Sequence, residues 1–271
     1  MTQTAVGPFR CSLASVGDGE PLAGTAPTET RWVLVEQPGA WTPKAADELA
    51  IDGVEDGVRV QLIRRVGGGA TPGGRRVFRA DLVAGVVETA LVGDDLDLAA
   101  ADWRPHAAPL WLVCTHGRRD VCCAEFGRPV AAALAARWPD DTWETSHLGG
   151  HRFAPTLIAL PSGVTLGRVG AADAVPAAER ILSGRLPDLA LVRGRAGQTP
   201  VAQAADLHVR AAHGLDALDA VGRIEVDGDV VRVHLAGGTE NVRVTATSTR
   251  RRQSCGDDKQ KPAAAYAVSE V

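Results

Sequence analysis

The chain of 271 residues is short of lysine, of basic excess and of long apolar runs. Lys44, Lys259 and Lys261 are the only lysines, so arginine supplies almost all positive charge, a bias in which we read no function. Lys and Arg total 29 against 33 Asp and Glu, and the formal net charge of −4 offers no basic field for nucleic acid. No apolar run approaches the roughly 18 residues that a membrane-spanning helix needs. The stretch "MTQTAVGPFRCSLASVGDGEP" lacks a basic region followed by an apolar core, so no signal peptide and a cytoplasmic location are expected. No repeat of roughly 20 to 50 residues is visible, which excludes a solenoid or propeller. What remains is an ordinary soluble composition, 45% hydrophobic and 23% charged, long enough for one large domain or two modest ones.

Cysteine is also scarce: Cys11, Cys114, Cys122, Cys123 and Cys255. An odd count with three in ten residues is no disulfide framework, and cytoplasmic thiols stay reduced or bind metal.

The periodicity predicts a strand at "RWVLVE" (31–36), a turn "QPGAW" and a helix through "PKAADELAI". "GVRVQLIRR" and "RRVFRADL" alternate as strands joined as a hairpin by "VGGGATPGG", a glycine loop without the Lys-Ser/Thr of a phosphate cradle. "VAGVVETALV" reads as a further strand and "GDDLDLAAADW" as a solvated acidic linker. A second unit begins with the strand in "APLWLVCTHG". The helix after Cys123 sets Val130, Leu134 and Trp138 at core spacing. "DTWETS" is a strand, "PTLIALPSGVTLGRV" a hairpin and "DAVPAAERIL" a closing helix. The order β-α-β, glycine turn, β-β-α matches a thioredoxin-like sheet covered by helices. Beyond about residue 185 come a loop and helix, a hairpin in "RIEVDGDVVRVHLAG" and a polar, turn-rich tail "STRRRQSCGDDKQKP". The expected class is α/β: residues 1–105 as an N-terminal α/β unit, 106–185 as a thioredoxin-like ferredoxin sheet with flanking helices, and 186–271 as a small α+β segment. The strand pattern of 31–92 echoes that of 109–169, as two related units would.

Four candidate ligands form two pairs: Cys114 and Cys123 with eight residues between, His147 and His151 with three between. Both pairs lie on loops leaving strands of one sheet, so they can converge in space. Two thiolates and two imidazoles suit a tetrahedral zinc ion or the two irons of a 2Fe–2S cluster. Gly149 and Gly150 inside "HLGGH" argue against a helix and would let backbone approach a bulky cluster. "CTHGRRDVCCAEFG", "SHLGGHRFAPTLIALPSGVTLGR", the opening "EPLAGTAPTETRWVLVEQPGAW" and the tail "SCG" together resemble the sucrase/ferredoxin-like proteins, thioredoxin-like 2Fe–2S ferredoxins. The resemblance spans nearly the whole chain and implies a cluster held by Cys114, Cys123, His147 and His151, where four-cysteine relatives have Cys-x3-Cys in place of His-x3-His.

Other readings stay open beside it. Structural zinc on the same four residues is the main rival, and a thiol oxidoreductase would want the Cys-x-x-Cys that this chain lacks. "CTH" imitates one Rieske box, but the second is missing, so His116 is expected near the site without ligating. Cys122 is expected as a buried apolar thiol beside it, and Arg118, Arg119 and Asp120 as a loop salt bridge. Cys11 and Cys255 show no partner in the sequence, although Cys255, within the resembling tail, could also pack near the cluster. "HLGGH" lacks the glutamate of a zinc protease, and no carboxylate pair suits glycoside chemistry.

With two thiolates and two neutral imidazoles an oxidised 2Fe–2S site carries no net charge, so it accepts an electron more readily than a four-cysteine site, and the outer imidazole nitrogens would couple reduction to pH. The expected function is a one-electron carrier or redox sensor rather than an enzyme with its own substrate. Its expected partner is a redox protein, reductase or acceptor, with no nucleic acid and no membrane.

Overall fold

Short apolar runs bounded by Gly, Pro and Asp make short buried strands, and this chain is built of them. The computed structural model describes residues 8–49, 51 and 54–271. The signal-peptide reading of the N-terminus lies partly outside them. A seven-residue helix α1 (Cys11–Gly17) precedes strand β1 (Arg31–Glu36). Then follow β2 (Arg59–Arg65), β3 (Arg75–Asp81), β4 (Val86–Val92) and the two-residue β5 (Arg104–Pro105). β1 lies between β2, to which it runs parallel, and β3, to which it is antiparallel. The glycine loop is therefore not the expected hairpin connection: β1 separates the two strands it joins. Its far end is tied to β1 by buried Glu36, whose carboxylate accepts the N–H groups of Thr71 and Arg76 at 2.9 and 2.8 Å. The helix expected over 43–51 is absent from the described residues as well. Its described residues make consecutive turns over 43–48.

The second half repeats the plan with a helix added. β6 (Leu110–Cys114) leads into α2 (Val121–Arg137), which returns to the parallel strand β7 (Thr142–Thr145). β8 (Thr156–Leu160) lies antiparallel on the other side of β6, and β9 (Val164–Gly167) closes a hairpin with it. α3 (Ala171–Leu182) follows, then β10 (Val192–Arg195). One mixed sheet of ten strands results, in the order β10-β9-β8-β6-β7-β2-β1-β3-β4-β5. The halves meet at the antiparallel β2–β7 seam, where Arg64 pairs with Glu144. Under one face Trp32, Leu34, Leu112, Cys114, Cys123 and Trp143 share a core; on the opposite face α2 and α3 cover Trp111 and Val113. The acidic linker is not simply solvated, since Leu96 and Leu98 are buried with Val33 and Val35.

Helix α4 (Pro200–His213) is capped by Thr199, starts with proline and stops at Gly214 with φ +64°. It packs Ala204, Ala205 and Val209 on a separate four-stranded antiparallel sheet, β11 (Val221–Asp227), β12 (Val230–Leu235), β13 (Gly238–Arg251) and β14 (Lys261–Glu270). Each fully buried valine or leucine there contributes roughly 1.5–3 kcal/mol. The polar tail is turn-rich over 252–260, as expected, and strand at its two ends: β13 and β14 pair over ten residues as an arm with Cys255 in its tip, and 246–250 of β13 are exposed. Among the described residues no helix is long and apolar enough to cross a membrane.

Candidate metal centre

Cys114 is the last residue of β6, and Asp120 caps α2 by accepting the Cys122 N–H at 2.9 Å. The helix opens at Val121, so Cys122 and Cys123 both sit in its first turn. Gly127 brings this helix down onto β6, because a methyl group there would collide with the carbonyl oxygen of Cys114. Cys123 is thereby held against Cys114. His147 follows β7, and the Gly149–Gly150 turn, with φ of +85° and +66°, leads to His151. Both glycines take the left-handed conformation that side chains disfavour. Gly150 also has no room for a Cβ beside the Arg193 guanidinium.

Cys114, Cys123 and His147 converge, their ligand atoms within 4.8 Å of one another, and both sulfurs are buried. His151 is outside that group but beside it, its Nδ1 3.3 Å from His147 Nε2. The remaining nitrogens, His147 Nδ1 and His151 Nε2, are buried without a hydrogen-bond partner. The first half of the sheet holds this turn in place: Gln61 Nε2 and Arg59 Nη2 each donate to the His147 carbonyl at 3.2 Å.

The electrostatics favour one thiolate in the resting pair. The Cys123 thiol, hydrogen-bonded to Cys114, holds Cys114 well below the usual thiol range despite burial, aided by His147 and the His116 N–H. Cys123 moves up correspondingly. Burial, then repulsion from His147, pushes the His151 imidazolium toward neutrality, the form that ligates metals. Fully buried Arg193 donates to the Gly149 carbonyl at 3.2 Å and puts its charge near the two sulfurs, burial lowering its pKa to about 10.

His116 is near this site with a different task. Its Nε2 is 2.8 Å from the Thr42 carbonyl and its ring meets Trp41 edge-on. Asp120 is not the salt-bridge partner expected for Arg118 or Arg119; besides capping α2 it accepts the Cys255 N–H at 2.8 Å. Nor is Cys122 an isolated apolar thiol. Cys11, Cys122, Cys255 and Asp120 form a second group with donor atoms within 4.8 Å. That assembly joins segments 244 residues apart, and no local spacing in the sequence signals it.

Residues 22–194 match the model of the sucrase/ferredoxin-like family, more than half of the chain. The chain belongs to that family. No curated protein and no solved structure matches it. The sucrase/ferredoxin-like region contains Cys114, Cys123, His147 and His151, while Cys11 and the "SCG" tail lie outside the matched residues. Within it, a buried Cys-rich site that could hold a metal stands at the end of the central strand.

Proposed function

We propose that Cys114, Cys123, His147 and His151 hold a 2Fe–2S cluster and that the protein is a one-electron carrier or redox sensor. The observation that supports this most is the buried Cys114–Cys123–His147 group with unpartnered nitrogens on both histidines. Two sulfurs and two imidazoles are a donor set for such a cluster, and unpartnered buried nitrogens want a ligand. Bound there, the cluster supplies reversible one-electron transfer. The chain's own groups do the rest. Asp120 fixes the first turn of α2 and with it Cys123. Gln61 and Arg59 fix the His147 backbone, and Arg193 places buried positive charge beside the thiolates. His147 lines a pocket of about 430 Å³ with Lys44, Arg59, Arg119 and His116, which gives a redox partner protein its closest approach. The order of β6, α2, β7, β8, β9 and α3 supports a thioredoxin-like reading of this half.

One observation favours zinc as the second reading. Donor atoms within 4.8 Å of each other also suit a single ion with bonds of about 2.0–2.3 Å. Metal and sulfide analysis of anaerobically purified protein separates the two. The cluster predicts a red-brown protein with about two iron and two sulfide per chain. A colourless protein whose zinc disappears in Cys114→Ser would replace the electron carrier with a structural zinc protein.

A further inference from the structure

The group at the other side of the α2 N-terminus uses none of the four proposed cluster ligands and shares with that site only Asp120, which caps α2. Cys122 Sγ is 3.2 Å from Cys255 Sγ, which is 3.6 Å from Cys11 Sγ. Cys11 Sγ is 3.5 Å from both oxygens of Asp120. A tetrahedral zinc ion, with Zn–S of about 2.3 Å and Zn–O of about 2.0 Å, spaces its donors about 3.5–3.8 Å apart. Three thiols and a carboxylate therefore already stand close to that spacing. Cys11 and Cys122 are fully buried and Cys255 partly exposed, which leaves one side through which an ion can enter.

The surroundings are built to hold this arrangement. Asp120 gives one lone pair of each oxygen to a backbone N–H, that of Cys122 and that of Cys255, and keeps others free toward the sulfurs. The turn bearing Cys255 is itself tied down. Asp257 accepts the N–H groups of Gln253 and Ser254, and Arg152 donates to the Arg252 carbonyl at 2.6 Å. Four anionic donors cannot share a buried pocket unaided, so without a cation they cannot all be ionised at once. A divalent ion removes that conflict by binding the thiols as thiolates. Three sulfurs make the site too soft for magnesium or calcium, and four protein donors leave no open position for substrate.

We infer that Cys11, Cys122, Cys255 and Asp120 form a second metal site, which takes one zinc ion and clamps the tip of the β13–β14 arm to α1 and α2. The role is structural: the ion joins three segments that share no strand.

The test is metal analysis of the full-length chain purified anaerobically with zinc present, with X-ray absorption at the zinc edge. Wild type should carry one zinc per chain in a shell of three sulfurs and one oxygen. Cys11→Ser and Cys255→Ser should each lose it, zinc falling at least about tenfold at equal free metal, while keeping the iron, sulfide and visible spectrum of wild type. Cys114→Ser should do the reverse, losing iron and keeping zinc, so failure of this site and failure of the cluster reading are separate results. The absorption measurement needs no variant and stands if one misfolds. Zinc in a shell of two sulfurs and two nitrogens, no zinc in wild type, or a Cys122–Cys255 disulfide in non-reduced peptide maps would each overturn the assignment.

Discussion

The two halves of the ten-stranded sheet share one plan and differ in what ends the central strand. Val33 in β1 pairs with Val60 on its parallel side and Arg79 on its antiparallel side; Trp111 in β6 pairs with Thr142 and Ala159 in the same sense. Counting on from there sets Glu36 against Cys114, each the last residue of its strand and on the same sheet face. Glu36 spends its carboxylate on the backbone of the glycine loop. Cys114 meets a helix N-terminus instead, and the described residues of the first half show only turns where that helix would be. The added helix delivers Cys123, so the candidate metal site sits in the half that has one. The other half positions it, through Gln61 and Arg59 on the His147 carbonyl and Thr42 on His116.

Exchanging the demands on the two strand ends should break the comparison most sharply. Cys114→Ser should reduce iron from about two per chain to almost none on the cluster stoichiometry. Glu36→Ala should retain iron but lose about 2–4 kcal/mol of stability, because two backbone donors are left without an acceptor. Equal loss of iron in both, measured by colorimetric assay beside denaturant melts, would mean that the halves do not divide labour.

Gly127→Ala comes next. The new methyl meets the Cys114 carbonyl, so α2 must lift from β6 and carry Cys123 with it. We expect about 1–3 kcal/mol of destabilisation and faster iron release to a chelator. A variant as stable as wild type and as retentive of iron would show that helix contact does not set the Cys114–Cys123 approach.

The smallest effect tests the support across the seam. Gln61→Ala removes a donor to the His147 carbonyl and an acceptor for the hydroxyls of Thr145 and Ser146. About 1–2 kcal/mol should be lost, with iron content unchanged and only its release quickened. Unchanged release kinetics would leave Arg59 as the sufficient anchor.

Much of this was readable in the sequence where one face or both faces of a strand are buried. RWVLVE and LWLVC are runs that can be little else, and the echo between 31–92 and 109–169 recurs in the paired registers. The two candidate ligand pairs were visible because each is local, and three of the four residues converge. What failed is what periodicity does not encode. No pattern in 57–82 says that β1 inserts between the strands flanking the glycine loop. β13 exposes both faces over 246–250, so its polar run there resembles loop. Cys11, Cys122 and Cys255 look solitary because only tertiary folding brings them together.

That long-range meeting has a consequence for the order of events during synthesis. Closing a loop costs about (3/2)RT ln n in chain entropy, so a contact between residues 11 and 255 is among the last to repay its formation. Cys11, Asp120 and Cys122 can assemble once α2 and the sheet beneath it exist, but Cys255 reaches them only after the arm has left the ribosome. Until then the half-made pocket has three donors and an open side. The arm's tip works as the closing stitch of a drawstring, fastened after the cloth is already gathered.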